Sequence, residues 1–325
     1  MAIKNNLLEL LETNRGFYIS GEQIASTLEV SRTAVWKAMK ALQKDGYLIE
    51  AVTNRGYCLS ENSDILSLIG MKKYLSEYAA DLSIKVHKHV ASTNDLLLKE
   101  MQSRRAENLA IIADEQTTGR GRFGRNFYSP PGSGIYMSLL IKVNQPVNEA
   151  VLITCAAAVA VCRAIEIVCG KDAGIKWVND ILVDGRKVCG ILTESSLGLE
   201  SGILENAVIG IGLNVYTPAA GFPEEIKDIA GAILPSRQGN ARNRLAAEIL
   251  SQFMYYCRNF HKKDYINEYR QRSLIIGKRI MVLSKEKKLP AKVLAIDERC
   301  RLHVRYDDGT EDILSSGAIS LCGCG

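Results

Sequence analysis

The chain has 325 residues, 47% of them hydrophobic and 24% charged, and a formal net charge of +5 at pH 7. The length predicts two or three domains, the composition is ordinary for a globular protein, and the mild positive charge permits an acidic partner without requiring one. The sequence contains no uninterrupted apolar run of about 18 residues, so it does not predict a membrane span. Residues 1–10 lack the apolar core of a signal peptide, so we expect a cytoplasmic location.

The nine cysteines are an odd number and are scattered through apolar surroundings, which argues against a secreted disulfide scaffold. Cys155, Cys162 and Cys169 are seven residues apart on a predicted helix, so neighbours are roughly 10 Å apart and too distant to share a metal. We predict that they are small core residues. Cys322 and Cys324 suggest thiol chemistry, but two residues do not make a metal site.

The first sixty residues follow the order helix, helix, helix, hairpin. Ser20 with Gln23 is a capping-box pattern that begins a short helix. Ser31 can cap a third helix, in which apolar residues recur at helical spacing. The turn-rich residues 53–56 then separate two short strands. This order predicts a winged helix-turn-helix.

Residues 61–80 are more polar and predict a partly helical connector. From residue 82 onward, strands and helices alternate, which predicts a mixed α/β domain with a layered core. The strands are predicted at 109–113, 135–142 and 207–213, and the helices at 92–101, 149–168 and 242–272. Short strands from 279 to 314, broken by turns such as Asp308-Gly309, predict a small β-barrel.

A basic, glycine-rich loop occupies residues 119–125, with the sequence Gly-Arg-Gly-Arg-Phe-Gly-Arg. Its glycines let the backbone approach an anion closely, and its arginines carry a charge that is not titrated away. Such a loop alone is weak evidence for phosphate binding. The alternative is a nucleic-acid-binding tract, although those tracts are usually long, and this one is short and follows a strand.

Three further motifs follow in order: Lys-Trp-Val-Asn-Asp at 176–180, Lys-Val-Cys-Gly-Ile-Leu-Thr-Glu at 187–194 and Gly-Ile-Gly-Leu-Asn at 210–214. Each also has a purely structural interpretation. Lys187 can be a solvated strand lysine and Trp177 a core residue, and the glycines can mark close strand packing.

Together with Ser92-Thr93-Asn94 and Gln116, these ordered motifs resemble the biotin protein ligase family from about residue 89 to 214. The two ends of the chain fit the layout of its repressor-type members. One departure is Val178, where the family usually has proline, and we expect it to alter a turn rather than the chemistry. The resemblance implies an α+β multidomain protein. Its parts are a winged helix-turn-helix DNA-binding domain (1–62), a linker (63–80), a mixed α/β biotin- and ATP-binding domain related to class II synthetase-like folds (81–273) and a small SH3-like β-barrel (274–325).

The resemblance implies a ligase that forms biotinyl-5'-AMP from biotin and ATP, with Mg²⁺, and passes biotin to a lysine of a biotin carboxyl carrier protein or carboxylase domain. The neutral ureido ring of biotin requires groups that both donate and accept hydrogen bonds. The predicted biotin-binding residues are Ser92, Thr93, Asn94, Gln116, Gly119, Arg120, Arg122, Lys187 and Gly190. The predicted ATP or adenylate contacts are Arg122, Arg125, Trp177, Asn179, Asp180 and Asn214. Ser92 or Thr93 can instead cap the following helix.

The chemistry joins two anions, because the biotin carboxylate must attack the α-phosphate of ATP. Cations are needed to neutralise both reactants, and Arg120, Arg122 and Lys187 are the predicted catalytic residues. A carboxylate is already a nucleophile at neutral pH, so no general base is required. Asp180 and Glu194 are weak candidates for Mg²⁺ ligands or ribose contacts, with structural hydrogen bonding as the alternative.

Two local predictions concern the surroundings of these cations. Strand alternation is expected to place Lys187 and Cys189 on one face, and Val188 and Gly190 on the other. Residues 215–234 form a long loop of the kind that is usually functional or disordered. The resemblance implies that this loop orders over the adenylate and shields the anhydride from water.

The DNA-binding prediction depends on the third helix and the wing. Residues 31–44 contain no acidic residue, and the predicted DNA contacts are Ser31, Arg32, Thr33, Lys37, Lys40 and, in the wing, Arg55. Residues 1–60 hold seven basic and six acidic residues, a net of +1, so a monomer should bind operator DNA weakly. The resemblance implies a transcriptional repressor of biotin genes with biotinyl-5'-AMP as corepressor, and a homodimer formed with bound adenylate would double that surface. A winged helix kept for protein contacts is the alternative.

Two other functions stay open. A lipoate-type protein ligase is a related adenylating enzyme, and the arginine-glycine loop with the motif at 176–180 argues against it. A non-catalytic, biotin-sensing transcription factor would not need the set of Arg120, Arg122 and Lys187.

Overall fold

A computed structural model describes residues 2–102, 108–146, 149–197, 203–283, 288–315 and 318–321. Cys322 and Cys324 lie outside these residues. The seven cysteines inside them are free thiols. Cys155 and Cys162 are fully buried, as predicted, whereas Cys169 is only partly buried. Burial raises the pKa of Cys162 to about 12.

The N-terminal residues form three helices and an antiparallel hairpin around a core of their own. Ser20 and Gln23 complete the predicted capping box, and the Ser31 side chain accepts a hydrogen bond from the amide of Ala34. The predicted helix–helix–helix–hairpin order is confirmed. Its elements are α1 (Ala2–Thr13), α2 (Gly21–Thr27), α3 (Arg32–Lys44), β1 (Ile49–Val52) and β2 (Gly56–Leu59).

The predicted connector, residues 61–80, is partly helical, with α4 at Leu68–Lys72 and a 3₁₀ turn at Glu77–Ala79. It is also packed rather than free, because Leu66, Met71 and Ala79 belong to the core of the central domain. The N-terminal module is therefore joined to that domain through a buried segment.

The central domain contains a seven-stranded sheet with the order β3-β4-β5-β9-β8-β7-β6. Among the pairings described, β3–β4 is parallel and the others are antiparallel. This mixed sheet confirms the predicted α/β character. The strands are β3 (Ser83–Val90), β4 (Leu109–Gln116), β5 (Gly134–Pro146), β6 (Gly174–Lys176), β7 (Asp180–Val183), β8 (Arg186–Leu197) and β9 (Ile203–Asn214).

Helices cover both faces of this sheet because side chains alternate along each strand. Ile111, Leu140 and Val208 pack with Leu97 of α5 (Thr93–Gln102), whereas the neighbouring strand residues share a core with the other helices. Those helices are α6 (Ala150–Cys169), α7 (Ala241–Arg258) and α8 (Asp264–Gln271). The helical stretch predicted at 242–272 is thus two helices, separated by a 3₁₀ turn at Phe260–Lys262.

Helix α6 is long and apolar enough to cross a membrane, judged by length and composition alone. In the structure 67% of its apolar window is buried inside the protein, and it packs against α7, α8 and the sheet. These contacts are those of a core helix.

The C-terminal residues form a five-stranded antiparallel sheet with the order β13-β12-β11-β10-β14. It contacts the central domain directly, since the indole N–H of Trp177 donates to the carbonyl of Cys300 at 2.8 Å. The motif at 176–180 is therefore supported from the C-terminal sheet. The strands are β10 (Arg279–Leu283), β11 (Lys288–Ile296), β12 (Leu302–Tyr306), β13 (Glu311–Leu314) and β14 (Ala318–Leu321).

Candidate active site

Three glycines on β8 and β9 leave a trough on the face of the sheet that carries α5. Gly190 pairs with Gly212 across the two strands. A Cβ atom at Gly212 would lie 2.4 Å from the ring of Phe127, and one at Gly210 would lie 2.3 Å from Oδ1 of Asn94. Both contacts are too short, so glycine is required at these positions. The close packing predicted for these glycines is confirmed.

Above the trough lies a cavity of about 330 Å³, within the range of small-molecule sites. It gathers most of the predicted site residues, which come from distant parts of the chain. Gly119 and Glu194 do not line it. The predicted residues that do are Ser92, Thr93, Asn94, Gln116, Arg120, Arg122, Arg125, Trp177, Asn179, Asp180, Lys187, Gly190 and Asn214.

One end of the cavity is lined by hydroxyl and amide groups that are already oriented. The amide N–H and the hydroxyl of Thr93 both donate to Oε1 of Gln116, at 2.9 and 3.1 Å. The buried hydroxyl of Ser138 lies 2.6 Å from that of Thr93. Ser92 accepts from the amide of Asp95 at 3.3 Å. The predicted capping role of Ser92 and its place in the cavity are therefore compatible.

Glu194 connects this polar end to the glycine-rich loop. Its Oε2 accepts from Nδ2 of Asn94 and from the guanidinium of Arg120, each at 2.7 Å. Arg120 also lies 2.8 Å from the carboxylate of Asp95. The position of the loop is thus tied to that of Asn94.

The glycine-rich loop folds back on itself at the mouth of the cavity. The amide of Gly121 donates to the carbonyl of Arg125 at 2.7 Å, and Phe123 has a left-handed φ of +57°. Arg122 donates to Oδ1 of Asn179 at 3.0 Å. Burial lowers the pKa of Arg122 and nearby Asp180 opposes that shift. A half-buried guanidinium of this kind interacts more strongly with anions than one in water.

Lys187 reaches the cavity through an irregularity in its strand. Leu182 pairs with Lys187 and Ile181 with Cys189, so Val188 is an extra residue in β8, as in a β-bulge. A Cβ at Gly190 would lie 3.4 Å from Nζ of Lys187. Lys187 and Gly190 therefore share the cavity face. Val188 and Cys189 are both fully buried, so the alternation predicted for these four residues is wrong.

The two candidate Mg²⁺ ligands do not converge. Oδ1 of Asp180 lies 2.5 Å from Nζ of Lys187, whereas Glu194 is held by Asn94 and Arg120. Across the described residues, no group of three or more histidine, cysteine or acidic side chains could hold a metal. This donor set fits a metal that arrives on the phosphates of ATP as part of the substrate.

The loop predicted at 215–234 is packed over the cavity. The amide of Lys187 donates to the carbonyl of Ile229, and the amide of Gly231 donates back to Lys187, both at 2.8 Å. Four of its residues line the cavity: Phe222, Ile226, Ile229 and Ala230. We call residues 215–234 the covering segment.

The motif at 176–180 forms the wall beside the covering segment. Trp177 is 4% exposed and its peptide bond to Val178 is cis. Nδ2 of Asn179 donates to the carbonyl of Ile191 at 2.8 Å. Ile319 of the C-terminal sheet also lines the cavity, so both domains contribute to this wall.

Comparisons with known proteins agree over nearly the whole chain. Residues 86–214 match the biotin/lipoate A/B protein ligase family, residues 4–58 an HTH domain and residues 275–321 the biotin protein ligase C-terminal domain. The bifunctional ligase/repressor BirA of Bacillus subtilis (strain 168) is 31% identical over 97% of both chains. The chain belongs to the family of bifunctional biotin ligase/repressors.

Two other comparisons are consistent with this assignment. The bifunctional ligase/repressor BirA of Escherichia coli (strain K12) is 28% identical over 94% of both chains. The structure of a biotin protein ligase from Aquifex aeolicus in complex with biotin and ATP has 25% identity and a TM-score of 0.62. It covers 74% of this chain and 98% of that one.

In this bifunctional ligase/repressor, the surface of α3 carries a residue that the sequence prediction missed. Trp36 is 52% exposed and lies one helical turn from Arg32 and from Lys40. In the wing, the guanidinium of Arg55 lies 4.1 Å from the centre of the Tyr18 ring. An exposed tryptophan amid basic residues makes Trp36 a further candidate for DNA contact.

Phe127 and Ser138 are two further residues that the prediction missed. Phe127 follows the glycine-rich loop and its ring lies over Gly212, while Ser138 is buried between Thr93 and Asn94. Neither belongs to a recognised motif. Phe127 lines the cavity, whereas Ser138 contacts the lining residues Thr93 and Asn94.

Proposed function

We propose that this chain forms biotinyl-5'-AMP from biotin and ATP, transfers biotin to a lysine of a biotin carboxyl carrier protein or carboxylase domain, and represses genes by binding operator DNA. One observation carries the proposal. A single cavity is lined both by buried hydroxyl and amide groups and by the cations Arg120, Arg122 and Lys187. That arrangement matches a ligand with a neutral polar ring and an anionic tail.

Biotin would bind with its ureido ring at the closed, polar end. Thr93, Asn94 and Gln116 offer both donors and acceptors there. Thr93 is held by its hydrogen bonds to Gln116, and Asn94 accepts one from Ser138. The cavity that Phe127, Gly190 and Gly212 line would hold the rings. The carboxylate then points toward the glycine-rich loop.

In the first step, a carboxylate oxygen of biotin attacks the α-phosphorus of ATP. The bond to the bridging oxygen breaks and pyrophosphate leaves. Arg122 and Lys187 are placed to stabilise the charge that develops, and Arg120 supports the loop. Lys187 is now paired with Asp180 at 2.5 Å, so its ammonium would turn toward the phosphate when ATP enters as its magnesium complex. Arg125, Trp177, Asn179 and Asn214 line the space for the nucleotide.

In the second step, the neutral amine of an acceptor lysine attacks the carbonyl carbon of biotinyl-5'-AMP. The amine loses a proton, AMP leaves and an amide forms. Adenylate is a good leaving group, so orientation and charge stabilisation are the main requirements. The covering segment would shield the anhydride from water, since it is hydrogen-bonded to Lys187 and four of its residues line the cavity.

We also propose the domain boundaries, the fold relations of two domains and a dimeric state. The boundaries at 62, 80 and 273 separate the DNA-binding module, connector, catalytic domain and C-terminal domain. The antiparallel C-terminal sheet supports an SH3-like barrel, and the mixed sheet supports a relation to class II synthetase-like folds. A homodimer formed with adenylate would present two copies of α3 to a two-fold symmetric operator.

Biotin-dependent exchange of labelled pyrophosphate into ATP tests the catalytic proposal. We expect exchange with biotin and much less with lipoate. Exchange that is equal or greater with lipoate would favour the lipoate-type ligase. Biotin binding without any exchange would favour the non-catalytic sensor.

A further inference from the structure

Ser138 on β5 lies behind the polar part of the ligand cavity. Its side chain is fully buried, and its hydroxyl contacts the side chains of Thr93 and Asn94. Both of these residues line the cavity. Within the described part of the chain, Ser138 can therefore affect a ligand only through these two neighbours.

The orientation of the Asn94 amide is fixed by Glu194. The carboxylate of Glu194 pairs with Arg120 at 2.7 Å and can only accept hydrogen bonds, so the Asn94 atom that lies 2.7 Å from it must be Nδ2. Oδ1 of Asn94 then faces Ser138. Because an amide oxygen carries no hydrogen, Ser138 donates its single hydroxyl hydrogen to Asn94.

This arrangement leaves the hydroxyl of Thr93 without a hydrogen for a ligand. Because Ser138 donates to Asn94, its 2.6 Å contact with Thr93 requires the hydrogen of Thr93. Thr93 shares that hydrogen with Oε1 of Gln116, at 3.1 Å. The amide of Gln116 is itself held, since its Nε2 donates to Ser129 at 3.1 Å. The Thr93 hydroxyl therefore offers only lone pairs to the cavity.

We propose that Ser138 is a specificity-determining positioning residue, which holds the Thr93 hydroxyl as an acceptor and so selects a ligand that presents an N–H group there. The ureido ring of biotin has two such groups. A ring oxygen in the same place would face the lone pairs of Thr93 and be repelled. The proposal rests on the proposed function, because it takes biotin as the ligand.

Two cyclic carbamate analogues of biotin, in each of which one ring N–H is replaced by oxygen, test the proposal. Calorimetry without ATP measures the dissociation constants of biotin and of both carbamates for the full chain, for Ser138→Ala and for the control Ser251→Ala. Ser251 is a buried serine of α7, 4% exposed, and its hydroxyl accepts from the amide of Ser76 at 2.9 Å. Urea unfolding confirms that each variant folds. The quantity compared is the ratio of the carbamate constant to the biotin constant, because a general loss of packing would weaken both ligands alike.

In the unaltered chain and in Ser251→Ala, we expect at least one carbamate to bind about ten- to a hundredfold more weakly than biotin, as when a buried acceptor loses its donor. In Ser138→Ala, the Thr93 hydroxyl can turn its hydrogen toward the ring oxygen. The ratio should then fall about fivefold or more. Ser138→Cys, which nearly keeps the volume and has a weaker donor, should lower the ratio less.

An unchanged ratio in Ser138→Ala and Ser138→Cys would overturn the proposal, even if every ligand bound more weakly. Equal binding of biotin and both carbamates by the unaltered chain would overturn it as well. Failure of the unaltered chain to bind biotin would instead contradict the proposed function, and this inference with it.

Discussion

The two ends of the cavity are built on different principles. At the closed end, Ser92, Thr93 and Asn94 are at most 5% exposed, and their hydrogen-bond partners are neutral apart from Glu194, which accepts from Asn94. At the open end, the side chains of Arg120 and Lys187 are 38% and 33% exposed and are held by carboxylates. The closed end is thus prearranged for a neutral ring, whereas anionic substrates must displace the carboxylates at the open end.

The largest expected effect is at Lys187. Lys187→Gln keeps much of the length and removes the charge, so adenylate formation should fall about a hundred- to thousandfold, as for other preorganised charge-stabilising groups. Ligation from supplied biotinyl-5'-AMP should fall less, because the first step is bypassed. Rapid-quench assays of each step measure the two rates. Lys171→Gln, in a solvent-exposed pair with Asp184, is the control. A change within threefold at Lys187 would make it a surface lysine.

Arg122 tests whether the open end also retains the intermediate. Arg122→Gly removes a half-buried guanidinium, and a charge-assisted contact of this kind contributes about 1.5–3 kcal/mol. Biotinyl-5'-AMP should therefore leave about ten- to hundredfold faster and label lysines on bystander proteins. Arg305→Gly, which removes a surface partner of Glu311, serves as the control. Equal retention of the intermediate by both variants would exclude this role for Arg122.

Glu194 links the buried polar residues to the cations, because one of its carboxylate oxygens accepts from both Asn94 and Arg120. Glu194→Gln keeps the shape but weakens both contacts, so we expect about tenfold weaker biotin binding. The dependence of the rate on Mg²⁺ concentration should not change, since we assign Glu194 to positioning. Calorimetry with biotin and a magnesium titration of pyrophosphate exchange measure the two quantities. A shifted magnesium dependence with normal biotin affinity would restore Glu194 as a metal ligand.

The sequence predicted which residues form the site better than it predicted the contacts between them. Capping patterns and hydrophobic spacing located the helices, because those signals are local. The bulge at Val188 could not be predicted from regular alternation, so Lys187 was grouped with Cys189, whereas it shares the cavity face with Gly190. The contact between Asn94 and Glu194 joins residues 100 positions apart, and only the packed sheet creates it. Phe127 and Ser138 were missed for the same reason.

The smallest effect concerns a third surface, α3 of the DNA-binding module, where Trp36 is exposed among basic residues. Apolar side chains contact the methyl group of thymine in the major groove. Trp36→Ala should therefore weaken binding to a selected DNA duplex about fivefold, or about 1 kcal/mol of lost apolar contact. Phe17→Ala is the control, because Phe17 is 73% exposed but lies outside α3.

Replacing thymine by uracil in the same duplex identifies the contact. Uracil lacks the methyl group, so the substitution should weaken binding by the unaltered chain at one or two positions and have no further effect on Trp36→Ala. Fluorescence anisotropy at fixed salt measures both, because phosphate contacts vary strongly with ionic strength. If the uracil effect were the same in both proteins, Trp36 would not read thymine. The contribution of α3 to DNA binding would then come from basic residues such as Arg32 and Lys40, through contacts to phosphates. In the ligand cavity, by contrast, both shape and charge are expected to select the ligand.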